Sequence, residues 1–187
     1  MTDATAHADA VRTLTAFDPR DATQRALRAD YLAHLGGHPG GLDRDQDPGH
    51  LTASTLVVDP ERGLVLLTLH ARLGRWLQLG GHVEPVDPGL HAAAAREARE
   101  ESGLTGLVVD AVPSRLDRHT VPGCRRRDGS ARTVDHLDVQ YLAVVGAHRQ
   151  ARISDESADL RWWSWHEVPD EDTAVRALVA LAVARWG

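Results

Sequence analysis

The sequence contains no lysine, a single cysteine and no long apolar run. All 21 basic residues are therefore arginine, which we attribute to GC-rich coding because alanine is also abundant. Any phosphate contact must then come from arginine, histidine, a backbone N–H group or a metal. Because Cys124 is alone, no intramolecular disulfide can form, which suits a reducing cytosol. No stretch of about 20 apolar residues could span a bilayer, and no apolar run resembles a signal peptide. We predict a soluble, cytoplasmic protein.

The net charge and the length of the chain further limit the functions that it could have. The net charge of −6 at pH 7 argues against a general nucleic-acid-binding surface. The 187 residues suffice for one domain with a substantial core. The expected partner is therefore a small molecule and not a nucleic acid or a membrane.

The most informative segment is residues 79–104, LGGHVEPVDPGLHAAAAREAREESGL. It begins with a glycine pair and ends in a pattern typical of a helix, on which Glu97, Glu100 and Glu101 lie three and four positions apart. Like charges at that spacing destabilise an isolated helix. A divalent cation that prefers oxygen ligands, such as Mg²⁺, would compensate. The three glutamates alone leave a solvated surface helix as an equal alternative.

The ends of this helix are also marked in the sequence. Asp87 is a suitable N-cap, and Pro88 would then occupy the first helical position. Gly103 suits the left-handed position just past the last turn. The small alanines between these ends predict a face that packs closely against a sheet.

The segment resembles the signature of the Nudix hydrolase family. That signature is a glycine, five residues, a glutamate, seven residues, and then Arg-Glu-hydrophobic-x-Glu-Glu-x-Gly-hydrophobic. The first half departs from it, because Asp87 replaces the glutamate and one extra residue precedes Arg96. In the family the upstream acid mainly supports the loop, so the departure concerns Asp87 and not the glutamates that bind metal. The second half matches in register at Arg96, Glu97, Ala98, Glu100, Glu101, Gly103 and Leu104.

The rest of the chain alternates strand and helix patterns. Two helices are expected between residues 4 and 35, followed by a loop rich in glycine, proline and aspartate. Strands are expected at 51–58, 64–69, 76–79, 107–112, 135–145 and 160–165, and a closing helix at 173–186. This order indicates an α/β fold with a mixed sheet between helices, and the resemblance implies the Nudix α/β/α sandwich. We divide the chain into an N-terminal helical extension, 1–45, and a Nudix domain, 46–187. The extension would either cover the pocket or form a homodimer contact.

The resemblance also implies a catalytic site. Glu97, Glu100 and Glu101 would bind Mg²⁺ or Mn²⁺, and the Gly81 carbonyl would add an oxygen ligand. Arg96 would brace a glutamate of the motif or Asp87 and would not contact substrate. The general base in this family is either a glutamate of the helix, here Glu100 or Glu101, or one from a later loop. Glu156 lies in the right region for the second case, with a plain surface residue as an equal alternative.

Further candidates come from histidines, an arginine-rich run and a tryptophan. His82 and His119 are candidate substrate or metal contacts, and His136 shares a strand face with Asp138. A zinc site is an alternative, but His50, His82, His119 and His136 lack zinc-motif spacing. The favoured interpretation is that most of these imidazoles are hydrogen-bonded within the fold or exposed to solvent. Residues 115–132 predict a hairpin with its tip at Asp128–Gly129. A solvated loop is favoured there over a phosphate contact from Arg118 or a neighbour. Trp76 could stack on a base, although a core position is favoured.

These observations predict a metal-dependent hydrolase that cleaves a diphosphate linkage in a nucleotide-type small molecule. The alternative is a non-catalytic Nudix-like module that binds or senses a nucleotide. Relatives of that kind usually lack one or more of the glutamates, whereas this chain retains all three. The sequence does not identify the substrate.

Overall fold

A computed structural model describes residues 2–146, 150–153, 157–169 and 172–187. In this part of the chain a mixed sheet lies between helices. No helix among these residues combines the length and apolar composition needed to cross a membrane. The helices are α1 Thr2–Ala16, α2 Ala22–Gly37, α3 Leu90–Ser102 and α4 Thr173–Trp186. The strands are β1 Gly49–Asp59, β2 Leu64–His70, β3 Arg75–Leu77, β4 Leu79–His82, β5 Val108–Val109, β6 Arg115–Arg125, β7 Ala131–Val144 and β8 Ser157–Ser164.

The centre of the sheet is the parallel pair β1–β7. It runs in register from Gly49 opposite Asp135 to Val58 opposite Val144. The other pairings are antiparallel: β2 and β4 pair with β1, β5 and β6 pair with β7, and β3 and β8 pair with β2. This arrangement confirms the predicted mixed sheet.

The two faces of the sheet bury different helices, because successive strand residues point to opposite sides. Leu51 and Ala53 of β1 share a core with α1, α2 and α3. Leu56 and Val58 pack with α4 on the opposite face. The result is the α/β/α sandwich predicted from the sequence.

The N-terminal helices are part of the first core and do not form a separate layer. Leu14, Phe17, Tyr31 and Leu35 are buried in the same cluster as Leu116 of β6. Helix α2 also contacts the backbone of β6 through polar groups. The Gln24 amide accepts from the Leu116 N–H (2.7 Å) and donates to its carbonyl (2.9 Å). Gln24 of α2 therefore takes the place of a neighbouring strand at Leu116.

Candidate functional site

The acidic helix α3 begins later than predicted. Its N-cap is Gly89, with no side-chain cap from within the segment. Asp9 of α1 supplies the missing acceptor, 3.2 Å from the Leu90 N–H. The predicted capping role of Asp87 is therefore wrong. The prediction for the other end is correct, because Gly103 has a φ of 63° and its N–H bonds the Arg99 carbonyl.

Asp87 has a different function, because it forms a buried ion pair with Arg96. The Asp87 side chain is 4% exposed and lies 2.8 Å from the Arg96 guanidinium. It also accepts a hydrogen bond from the Glu84 N–H at 2.8 Å, which closes the turn before the helix. The carboxylate thus joins the loop to α3.

Arg96 connects the acidic residues of the motif. Its guanidinium donates to Glu97 at 3.0 Å, to Glu100 at 2.9 Å and to the His82 carbonyl at 2.9 Å. The hydrogen bond to Asp87 is the largest of the effects that raise the pKa of Arg96, although burial opposes it. Bracing of Asp87 and of motif glutamates by Arg96 is thus what the structure shows.

The three glutamates differ in exposure. The Glu97 side chain is 13% exposed and the Glu100 side chain 60%. A Cβ at Gly81 would come within 2.8 Å of the Glu97 carboxylate, so the glycine lets the loop lie directly against the glutamate. Glu101 is half-buried at the end of the helix. Glu97 lies against Gly81, Arg96 links Glu97 to Glu100, and the helical spacing puts Glu101 on the same side of α3. These oxygen donors are of the type that Mg²⁺ or Mn²⁺ prefers.

A polar network covers the sheet face opposite α3. The Asp138 carboxylate is 3% exposed and accepts from Ser54 at 2.6 Å, from Thr52 at 3.0 Å and from Gln140 at 3.0 Å. At the edge of the network, Arg115 donates to the Gln140 side chain at 3.2 Å. This network joins β1 to β7. Only the pairing of His136 with Asp138 on one face was expected from the sequence.

His119 lies on the same face of the sheet. Its ring contacts the Asp117 carboxylate at 3.0 Å, and its side chain is 47% exposed. The hydrogen bond to Asp117 is the main cause of a raised pKa of His119. Burial raises the pKa of Asp117, but the hydrogen bond from His119 and the charge of Arg115 outweigh it, so the pKa is lowered overall. The pair thus presents a partly exposed imidazole that favours its charged form.

His82 points to the same side and is packed among other rings. The His50 and His136 rings lie 5.0 and 5.3 Å away, between centroids. Burial is the largest effect lowering the pKa of His82 to about 3. A neutral, enclosed imidazole is poorly suited to a phosphate contact.

The other predicted substrate contacts have partners within the fold. Trp76 packs edge-on against Trp163 at 5.2 Å between centroids and joins the core beside α4, which agrees with the interpretation favoured from the sequence. Arg118 pairs with Asp135 at 2.7 Å, on the side of the sheet that faces α2. Glu156 lies outside the described residues.

The arginine-rich hairpin tip contacts the loop before β1. Gly129 has a φ of 84° at the predicted turn. Arg127 contacts Asp43 at 2.6 Å and Asp45 at 3.3 Å, and Arg126 and Arg132 both pair with Asp47. The tip is solvent-exposed, as favoured from the sequence, and is also held to the loop before β1 by ion pairs. A phosphate contact from this region stays a prediction.

Comparison with known proteins agrees with this geometry. The model of the NUDIX domain family matches residues 48–182. A NUDIX-family hydrolase from Clostridium perfringens is 25% identical over 74% of this chain and 98% of its own, with a TM-score of 0.55. The dihydroneopterin triphosphate pyrophosphohydrolase of E. coli is 16% identical, over 72% and 95% of the two chains, with a TM-score of 0.57. The NUDIX domain of Shewanella oneidensis NrtR, solved with ADP ribose, is 22% identical, over 85% and 98%, with a TM-score of 0.50. No curated protein matches the chain.

Proposed function

Because the chain belongs to the NUDIX domain family, we propose that it cleaves a diphosphate linkage in a nucleoside diphosphate-linked or related small molecule by water attack at phosphorus. Family membership confirms the predicted fold class and enzyme class, a Nudix hydrolase. The proposal adds the use of Mg²⁺ or Mn²⁺ and the nucleotide-type substrate. The observation that carries it is that Glu97 lies against Gly81 and is linked by Arg96 to Glu100, on the helix that also carries Glu101.

The donor chemistry at α3 fits a hard divalent cation. Glu97, Glu100 and Glu101 supply carboxylates, and the Gly81 carbonyl supplies a neutral oxygen. Mg²⁺ binds such oxygens in preference to nitrogen or sulfur. Once bound, the metal would offset the charge of the phosphoryl groups and lower the pKa of a bound water.

Residues of the chain prepare this site in two ways. Arg96 holds Glu97 and Glu100 close together by offsetting their mutual repulsion. Glu97 is enclosed against Gly81, whereas Glu100 is exposed at the edge that a substrate can reach. We assign Glu97 to holding the metal and Glu100 and Glu101 to the reacting edge. Among the predicted substrate contacts, His119 is partly exposed and has a raised pKa, but it lies on the sheet face opposite α3, so we do not include it in the proposed site.

Replacing Glu100 tests the proposal. Glu100→Gln keeps the size of the side chain and removes its charge, so turnover with Mg²⁺ should fall by at least about 100-fold, the scale of a lost acid–base or metal contact. The matched control is Glu167→Gln, at an exposed position, which should leave turnover unchanged. Circular dichroism should show the same fold for both variants. Full activity of a folded Glu100→Gln protein would refute the proposed site.

A substrate panel tests the reaction class. Nucleoside triphosphates, nucleotide sugars, ADP-ribose, coenzyme A, dinucleoside polyphosphates and dihydroneopterin triphosphate would be scored for products with Mg²⁺ and with Mn²⁺. We expect metal-dependent cleavage of at least one of them. Tight nucleotide binding by calorimetry without any cleavage would instead establish the non-catalytic sensor module.

A further inference from the structure

Four potential metal ligands converge on the sheet face opposite α3. They come from four different strands: His50 from β1, His82 from β4, Cys124 from β6 and His136 from β7. Each offers one ligand atom, and these atoms all lie within 4.8 Å of one another. We call this group the His₃Cys cluster. The parallel register, which places His50 opposite His136, is what brings distant parts of the sequence together.

The distances within the His₃Cys cluster agree with tetrahedral coordination. Cys124 Sγ lies 3.6 Å from His136 Nε2 and 3.8 Å from His82 Nε2. In a tetrahedral zinc site with ordinary bond lengths, sulfur and nitrogen ligands are about 3.6 Å apart. The three rings also contact one another, with centroids 4.9 to 5.3 Å apart. Only small side-chain adjustments would close the cluster around one ion.

His50 is poorly supplied with hydrogen-bond partners among the described residues. It is fully buried, and neither ring nitrogen forms a hydrogen bond of good geometry, although a backbone group of Gln46 contacts the ring. A buried polar atom without a partner costs about 1–3 kcal/mol. Coordination by one ring nitrogen would provide a stronger partner.

The protonation state of the rings is compatible with metal binding, which requires neutral imidazoles. Burial is the largest effect that lowers the pKa of His50 to about 4 and of His136 to about 2. The charges of Arg44 and Arg132 contribute at His50, and the neighbouring histidines contribute at His136. Burial thus favours the neutral form of both rings.

We propose that His50, His82, Cys124 and His136 form a closed, tetrahedral Zn²⁺ site with a structural role. Three nitrogen donors and one sulfur suit zinc and leave no position open for a substrate, as in structural zinc sites. The same donors are unsuited to Mg²⁺, which binds oxygen. The site is thus chemically different from the acidic edge of α3.

The sheet separates the proposed zinc site from the acidic edge. In the β1–β4 ladder, Thr52 pairs with His82 and Ala53 pairs with Gly81. Adjacent strand residues point to opposite faces, so Gly81 meets Glu97 while the His82 ring enters the His₃Cys cluster. The His82 carbonyl accepts from Arg96. A zinc ion would therefore fix the β6–β7 hairpin to the residue that leads into the Nudix loop.

Metal analysis and cobalt substitution test the site directly. Protein purified without a histidine tag should contain roughly one Zn²⁺ per chain, measured by inductively coupled plasma mass spectrometry. Exchange for Co²⁺ should give the visible bands of tetrahedral cobalt and a thiolate-to-cobalt charge-transfer band. In Cys124→Ser the charge-transfer band should disappear, and in His136→Ala the zinc content should fall to background. His119→Ala, next to the cluster at 5.6 Å between ring centroids, is the control and should retain full zinc.

A melting experiment keeps the proposal testable if a variant fails to fold. Removing zinc from the wild-type chain with a strong chelator should lower its melting temperature, and Zn²⁺ but not Mg²⁺ should restore it. Glu100→Gln should retain zinc even if it has lost hydrolysis, so failure of one proposal is distinguishable from failure of the other. A folded wild-type chain with no bound zinc and no cobalt spectrum would overturn the zinc site. Stoichiometric copper or iron in place of zinc would overturn its assignment to zinc.

Discussion

Arg96 is the residue on which the acidic helix depends most directly. It contacts Asp87, Glu97, Glu100 and the His82 carbonyl, so one side chain connects the Nudix loop to the proposed metal ligand Glu97 and to the proposed reacting residue Glu100. The Asp87 carboxylate is almost fully buried, and Arg96 is the cation that offsets its charge. The replacement of the family's glutamate by Asp87 is accommodated because the shorter side chain lies against this guanidinium.

Removing Arg96 should therefore destabilise the protein strongly. Breaking a buried ion pair by deleting one partner costs about 3–5 kcal/mol, so Arg96→Ala should lower the free energy of unfolding by about that amount in urea denaturation. Arg96→Lys should recover only part of this loss. Its ammonium keeps the positive charge but lacks the planar fork that reaches several oxygens. Arg99→Ala, at an exposed position on the same helix, should change stability by less than about 0.5 kcal/mol. Equal stability of the Ala variants at 96 and 99 would contradict the role assigned to Arg96.

At the scale of whole elements, α1 and α3 meet where one caps the other. Gly89 adopts an extended backbone, with φ 172°, which any residue can adopt. It is required for space, because a Cβ there would lie 1.8 Å from Asp9 Oδ2. Both the acceptor for the Leu90 N–H and the tight packing thus come from a helix about 80 positions away.

A double-mutant cycle tests this contact between helices. Gly89→Ala should cost about 1–3 kcal/mol of stability by overpacking. Asp9→Ala should cost about 1 kcal/mol by loss of the cap. The double variant should lose less stability than the two single variants lose in sum, because Asp9→Ala also removes the atoms that clash with the new Cβ. Strictly additive losses in thermal or urea unfolding would show that the two residues do not interact.

The same contacts explain which elements could be predicted from the sequence. Helices and strands with a regular apolar period were recognised within a few residues, as was the C-terminal cap at Gly103, because those signals are local. The start of α3 was misjudged because its cap comes from α1. The His₃Cys cluster was invisible to spacing rules, since its members come from four strands that only the sheet topology brings together. The only hint of it in the sequence is that several histidines lie in or beside segments with a strand pattern.

At the scale of the whole molecule, the two faces of the sheet have separate tasks. One carries α3 with its acidic edge and the core shared with α1 and α2. The opposite face carries the Asp138 network and the His₃Cys cluster and, further along the strands, the core beside α4. The loop from β4 to α3 connects the two faces, because Gly81 and His82 point in opposite directions. The cytoplasmic location and the homodimer contact remain predictions.

The boundary between residues 1–45 and 46–187 also remains a prediction, and deletion of the first segment tests it. The deletion would expose the core that α1 and α2 cover and leave the Leu116 peptide group without Gln24. Each large apolar side chain removed from such a core is worth about 1.5–3 kcal/mol. Several are lost together, so the total approaches the 5–15 kcal/mol by which an ordinary domain is stable. The segment 46–187 alone should therefore show poor dispersion in NMR spectra and no cooperative unfolding, and added peptide 1–45 should restore both. If 46–187 unfolds at the same urea concentration as the full chain, the N-terminal helices are an independent extension and the shared core contributes little.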